Sequence, residues 1–177
     1  MVRIISGTLR GNKLANFTGN DVRPTSDRIK EWIFNVLGNI EGSKVLDLFA
    51  GTGNLGIEAI SRGAESVTFV DRSSKSLQLI KKNVTLMKLE NSVEIQRKDS
   101  LKFIGKKNKG EFDLIFADPP YSYSDSSRLT LGVINILPQS GTFVYETSMK
   151  VSKNLPIEPG RVKKFGETVI NIYRGEN

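Results

Sequence analysis

"KVLDLFAGTGNLGIEAISRGAESVTFVD", residues 44–71, carries the pattern that decides the architecture of this chain. KVLDLFA (44–50) reads as a buried strand, NLGIEAISRG (54–63) as a short helix stopping at Gly63, and SVTFVD (66–71) as the next strand. Gly51, Gly53 and Gly56 fall between the first strand and its helix. Glycines there permit a tight turn and let a ligand approach the backbone at a helix N-terminus. The spacing alone is weak evidence; the strand–turn–helix context gives it weight.

The alternation continues outward. A helix starts at Ser73 or Ser74 and buries Leu77, Ile80, Val84 and Met87 at helical spacing. VEIQRKD (93–99), FDLIFAD (112–118) and TFVYET (142–147) follow as strands, with a helix over 126–137. This order implies an α/β fold, with a Rossmann-like parallel sheet and helices on both faces. RVKKF (161–165), Gly166-Glu167 and TVINIYR (168–174) then read as an antiparallel hairpin. Upstream, VRIISG and RGNKLAN form a small two-stranded piece turning near Gly7 and Gly11. A helix from Asp27 to Leu37 follows, with Ile29, Trp32, Ile33, Val36 and Leu37 on one buried face. The expectation is one domain over 1–177, with 1–40 an appendage to a core at 41–177.

Composition removes whole classes of chemistry. The chain has 177 residues, enough to bury roughly 70% of its extended-chain surface. It contains no cysteine and no histidine, which excludes thiolate sites, cysteine nucleophiles and the usual neutral-pH acid–base group. No metal site is expected. The N-terminus lacks a signal-peptide core and no apolar run approaches a membrane span, so a cytoplasmic protein is expected. The net charge of +7 points to a polyanionic partner, although an ordinary basic protein also has such a charge. Its distribution favours the former. Arg3, Arg10, Lys13, Arg23, Arg28 and Lys30 face only Asp21 and Asp27 within the first 30 residues, and Lys102, Lys106, Lys107 and Lys109 form a second cluster.

Asp71 ends the second strand 20 residues after Gly51, where a carboxylate can hold ribose hydroxyls. Asp47 lies inside a strand that should be buried, and an unpaired carboxylate there is costly. It would repel a dinucleotide pyrophosphate and welcome a cofactor bearing an ammonium or sulfonium. S-adenosyl-L-methionine has both. Asp99, ending the third strand, is placed either to accept from an adenine amino group or to cap the next segment.

LIFADPPYSYS, residues 114–124, ends a buried strand in Asp118, Pro119, Pro120 and Tyr121. A sheet of this kind binds ligands at the carboxyl ends of its strands. There the Asp118 carboxylate and the Pro119 carbonyl can accept both N–H bonds of an exocyclic amino group. The prolines fix that carbonyl, and Tyr121 offers a ring on which an extruded base can stack.

Asp-Pro-Pro-Tyr is similar to the motif of S-adenosylmethionine-dependent methyltransferases that modify exocyclic amines. With RIISGTLRG, RPTSDRIKEWIFNVL, LDLFAGTGNLGIEAISRGA and IFADPPY, the chain resembles the RsmD-like bacterial 16S rRNA guanine-N2 methyltransferases. The likeness covers nearly the whole chain and is densest before residue 72. It implies a seven-stranded methyltransferase sheet and a guanine of small-subunit rRNA, naked or in an assembling particle, as substrate of a monomer. Asp47, Phe49, Gly51, Gly53, Asp71, Arg72, Asp99 and Ser100 would bind the cofactor, and Asp118 to Tyr121 the guanine amine. Arg10, Arg23, Thr25 and Arg28 would contact RNA, with Arg28 equally readable as a solvated helix residue. The chain departs from the family pattern at Asp71, usually glutamate, and at Asn54, usually small and apolar. Three rivals stay open: methylation of adenine N6, methylation of a glutamine amide, or a non-catalytic RNA-binding assembly factor on the same fold. A cytosine-C5 enzyme needs a cysteine that this chain lacks.

Overall fold

The computed structural model describes residues 2–17 and 25–175. Seven strands form one sheet in the order β3-β2-β1-β4-β5-β7-β6. In chain order they are β1 (Lys44–Leu48), β2 (Ser66–Asp71), β3 (Val93–Arg97), β4 (Leu114–Ala117), β5 (Thr142–Ser148), β6 (Arg161–Phe165) and β7 (Thr168–Arg174). The first five run parallel, and β7 pairs antiparallel with both β5 and β6. The sheet is therefore mixed, α/β, and closes in the expected hairpin.

Helices cover both faces. One carries α1 (Asp27–Leu37), α2 (Asn54–Ser61) and α3 (Ser74–Leu86); their Ile33, Phe34, Ile57 and Ile80 pack with Val45, Phe69 and Phe116 of the sheet. The opposite face carries α4 (Ser100–Ile104) and α5 (Ser126–Ile136), whose Phe103, Leu129 and Val133 pack on Leu46, Ile115 and Phe143. A further turn, α6 (Met149–Ser152), follows β5. Hydroxyl caps set the starts: Ser26 accepts from Ile29 N–H, Ser73 from Ser76 N–H and Ser148 from Val151 N–H.

Several strand ends are shorter than the sequence pattern suggests. Phe49, Ala50 and Asp118 lie beyond their strands, at the carboxyl edge where the chain turns. Met87 follows the end of α3 and is only partly buried. Trp32, expected in the core, is partly buried at the side of the sheet, edge-on to Phe165 with centroids 5.8 Å apart.

The N-terminal segment forms a single antiparallel bridge, Arg3 to Lys13, rather than two full strands. Polar groups bolt it to the helices. Glu58, on α2 and fully buried, accepts from the N–H of Ile5 and Ser6, from Lys30 Nζ and from Arg62 Nε. Asn83 on α3 accepts the Ala15 N–H at 2.7 Å and donates to the Ala15 and Thr52 carbonyls. Lys30 therefore leaves the basic surface expected of this segment: it is buried against Glu58, and Arg3 is paired with Asp27 at 2.8 Å. A buried ion needs partners more than it needs a ligand, and here it has them.

Candidate active site and cofactor loop

Three acids meet at the carboxyl edge because β1 is flanked by β2 and β4. Asp47 lies in β1, Asp71 ends β2, and Asp118 comes one residue after β4. Asp47 is 3% exposed, and its Oδ2 accepts the Gly56 N–H at 3.0 Å. That N–H belongs to the first turn of α2, where intrahelical partners are absent. Gly53, the N-cap residue, has no side chain to supply one, so Asp47 caps the helix from the neighbouring strand. Burial pushes the Asp47 carboxyl well above the ordinary range. The Gly56 N–H opposes that rise, and the charges of Asp118 and Asp71 reinforce it.

Asp71 fastens the glycine loop. Its Oδ2 accepts the Gly51 N–H at 3.0 Å and its Oδ1 the Ser73 N–H at 2.8 Å. The three glycines have different duties. A Cβ at Gly51 would approach only the Phe49 carbonyl, at 3.9 Å, so this position faces open space. Gly53 holds the left-handed φ of 78°, and a Cβ there would point at Phe69, Ile57 and Ile80 within 3.3–3.4 Å. Gly56 lets α2 lie against β2, since a Cβ would fall 2.3 Å from the Phe69 ring. Gly53 can thus offer a ligand only its backbone.

Phe49 adopts a φ of 58°, a costly conformation for a residue with a side chain, and its ring meets Tyr123 edge-on at 5.0 Å. Arg72 is exposed, with its carbonyl accepting from Arg97 Nε at 3.4 Å, and Ser100 is buried at the start of α4. Of the two readings left open for Asp99, the cap is realised: Oδ1 accepts the Lys102 N–H at 3.1 Å.

The strand end after β4 is tightly turned. Pro119 is buried, Pro120 is exposed, and the Pro120 carbonyl accepts the Tyr123 N–H at 2.8 Å. Burial pushes the Asp118 carboxyl up to about 7, while the Thr25 hydroxyl favours its ionised form. Tyr121 is 59% exposed, with its hydroxyl 3.1 Å from Thr168 Oγ1. Pro119, Tyr121, Tyr123, Tyr145 and Glu146 line one concavity. Ala117 and Tyr145 are register partners in parallel strands, so Asp118, just past β4, and Glu146, still within β5, follow at the same level.

Other expected contacts are dispersed. Arg10 is exposed on the N-terminal turn, Arg28 is exposed on α1 with its guanidinium 5.8 Å from the Phe165 ring centre, and Arg23 lies outside the described residues. Thr25 is buried beside Asp118 instead of lying on the surface. Its carbonyl accepts from Asn54 Nδ2 at 3.3 Å, and Asn54 Oδ1 accepts from Lys30 Nζ at 2.8 Å. This chain of contacts, and the place of Glu146 beside Pro119 and Tyr121, escaped sequence reasoning. The one signal was Asn54 itself, a polar residue where a small apolar one was expected. Among the described residues no acidic cluster could hold a metal ion, and no helix is long and apolar enough to cross a membrane.

The sequence matches the family described as conserved hypothetical protein 95 over residues 2–174. It is 37% identical to YlbH, a candidate rRNA methyltransferase of Bacillus subtilis, over 98% of each chain. It is 31% identical to the ribosomal RNA small subunit methyltransferase D of Escherichia coli, covering 99% of this chain and 90% of that one. A solved structure of an Escherichia coli methyltransferase candidate, yhhF, superposes with a TM-score of 0.85 at 27% identity, covering 99% of this chain and 98% of the other.

Proposed function

The chain belongs to the conserved hypothetical protein 95 family, the RsmD family, and from that premise we propose that it methylates N2 of a guanine in 16S rRNA, using S-adenosyl-L-methionine. The observation carrying this reading is the set of acceptors at the carboxyl edge of the sheet: Asp118 and the Pro119 carbonyl at the end of β4, with Glu146 in the neighbouring β5. Guanine presents adjacent donors on this edge, N1–H and the N2 amine, whereas adenine places an acceptor, N1, beside its N6 amine. An edge rich in carboxylates suits the former.

The acids fit the cofactor. Burial first, and the charges of Asp118 and Asp71 after it, raise the Asp47 carboxyl, so a cationic ligand beside it would favour its ionised form. Gly51 leaves open space beside them, and Asp71 stands where ribose hydroxyls would be held. When bound, S-adenosyl-L-methionine supplies an electrophilic methyl on sulfonium.

The chain's own part is positioning. The guanine amine is a poor nucleophile because its lone pair is delocalised into the ring. Asp118 and the Pro119 carbonyl accept its two N–H bonds, orient it and disperse the positive charge that develops on N2. Asp118, with its carboxyl near 7, is also matched to take the departing proton. Tyr121 supplies an exposed ring for stacking the extruded base, fixed at its hydroxyl by Thr168. Orientation in such a site supplies up to about 7–11 kcal/mol of barrier lowering.

The reaction is tested by incubating the protein with methyl-labelled cofactor and small-subunit rRNA, either naked or in ribosomal particles, then digesting the RNA. Label in N2-methylguanosine is the expected result. Label in N6-methyladenosine, or in protein glutamine, would transfer the account to a rival, and no label in either substrate would favour a binding factor.

A further inference from the structure

The edge of the sheet carries a surface that the reaction does not use. β6 is the terminal strand, and its residues Arg161 to Lys164 are exposed. Side chains alternate along a strand, so Arg161, Lys163 and Phe165 share one face. That face looks toward α1: the Arg161 guanidinium lies 5.7 Å from the Trp32 ring centre, and Phe165 meets Trp32 edge-on. Arg28 sits 5.8 Å from the Phe165 ring centre. Two guanidiniums therefore lie over two aromatic rings, with Lys163 between them along the strand.

An edge strand needs charge to resist pairing with another chain, and lysines alone serve that purpose. They do not require arginines held over rings. Arg28, Arg161, Lys163 and Lys164 make no ion pair among the described residues. Glu31 and Glu167 are nearby in sequence and pair with none of them. Three of the four cations, Arg28, Arg161 and Lys163, share a face with the Trp32 and Phe165 rings, and such cations interleaved with aromatic rings match the footprint of a nucleic-acid backbone with stacked bases.

The patch also reaches the reacting edge. Phe165 pairs with Thr168 across the β6–β7 turn, and Thr168 holds the Tyr121 hydroxyl. We propose that the α1–β6 edge, built from Arg28, Trp32, Arg161, Lys163 and Phe165, is a track that grips substrate RNA beside the flipped base and leads it to Tyr121. The inference rests on the reading that the substrate is RNA, and places its grip on the C-terminal hairpin as well as on the N-terminal segment. Phosphates meet Arg161 and Lys163, and an unpaired base stacks at the Trp32–Phe165 pair.

Trp32 is the chain's one tryptophan, so its fluorescence reads this patch directly. Small-subunit rRNA should quench it in the full-length protein. Replacing Arg161→Gln and Lys163→Gln together should lower the slope of log affinity against log salt by about 1.4–1.8, at about 0.7–0.9 per phosphate contact. Melting temperature and S-adenosyl-L-methionine affinity should stay at parental values, and KM for RNA should rise. Where the double variant does not fold, Lys163→Gln alone should show about half the change in slope. An unchanged slope and KM, with methyl transfer intact, would overturn the track while leaving the proposed reaction standing. A reduced slope without methyl transfer by the parent would uphold the track and remove the reaction. Quenching by polyglutamate equal to that by RNA would assign the patch to an acidic protein and overturn it.

Discussion

Asp47 and Asp118 stand at the ends of adjacent strands, near enough that the charge of Asp118 raises the Asp47 carboxyl. No cationic side chain offsets either acid; the groups that favour the ionised forms are the Gly56 N–H at Asp47 and the Thr25 hydroxyl at Asp118. On the proposed reading, the positive charge that they lack is supplied by the cofactor.

Asp118 should therefore impose a pH dependence. Its carboxyl is raised from 3.8 to about 7 in the folded state, so the fold holds a proton there that the unfolded chain releases. Stability from this group is present at low pH and is lost as pH rises from about 4 through 7. Asp118→Asn removes the loss, so its melting temperature should exceed that of the parent at pH 8 and converge with it near pH 4. In activity the sign reverses: kcat/KM should rise with pH through about 7 in the parent, because the ionised carboxylate is the acceptor. A flat parental profile over pH 5–9 would detach Asp118 from the reaction.

Cofactor binding should respond to Gly51 and Asp71. Gly51→Val adds a side chain on the open side of the loop, and Asp71→Ala removes the proposed ribose anchor together with the acceptor of two N–H bonds. Each should weaken S-adenosyl-L-methionine binding tenfold or more, by about 1.4 kcal/mol, in calorimetry. Both positions hold a left-handed φ, 55° at Gly51 and 78° at Gly53, so both valines strain the backbone; Gly53→Val should cost more stability because its side chain also meets Phe69, Ile57 and Ile80. Parental affinity in folded Gly51→Val and Asp71→Ala would place the cofactor elsewhere.

Glu58 should matter for stability. Both it and Lys30 are fully buried, and Glu58→Ala would leave the Lys30 ammonium without its carboxylate. Breaking such a pair costs about 3–5 kcal/mol. The same change frees the N–H groups of Ile5 and Ser6, so hydrogen exchange should accelerate there first. A denaturation midpoint within error of the parent would refute this account of how the N-terminal segment is anchored.

The sheet was legible because its information is local and periodic. Strand–helix alternation from Lys44 onward and the turn at Gly166-Glu167 gave the parallel sheet and its closing hairpin. The strand end at Asp118 was legible because a carboxylate followed by two prolines cannot continue a strand. What escaped was long-range. Lys30 reads as one more surface cation until Glu58, 28 residues away, is brought beside it. Thr25 reads as part of a basic RNA-facing stretch, yet tertiary packing turns it inward to Asp118. The direction of Gly53's missing Cβ depends on Phe69 and Ile80, which no local pattern reveals.

Tyr121 should act on the base and leave the cofactor alone. Tyr121→Ala removes a stacking surface worth about 1–3 kcal/mol, so RNA KM should rise while S-adenosyl-L-methionine affinity holds. Tyr121→Phe keeps the ring and loses only the contact with Thr168, so it should be the milder change. Equal defects in the two variants would shift the importance from the ring to the hydroxyl.

The central claim concerns the strand end, and single-turnover methyl transfer by Asp118→Ala tests it most directly, with N2-methylguanosine in small-subunit rRNA as the readout. The variant keeps the Pro119 carbonyl and loses the carboxylate. The account predicts a fall in rate of roughly a hundredfold or more, as for loss of a positioned electrostatic group, with S-adenosyl-L-methionine still bound. Parental turnover yielding the same N2-methylguanosine would contradict it.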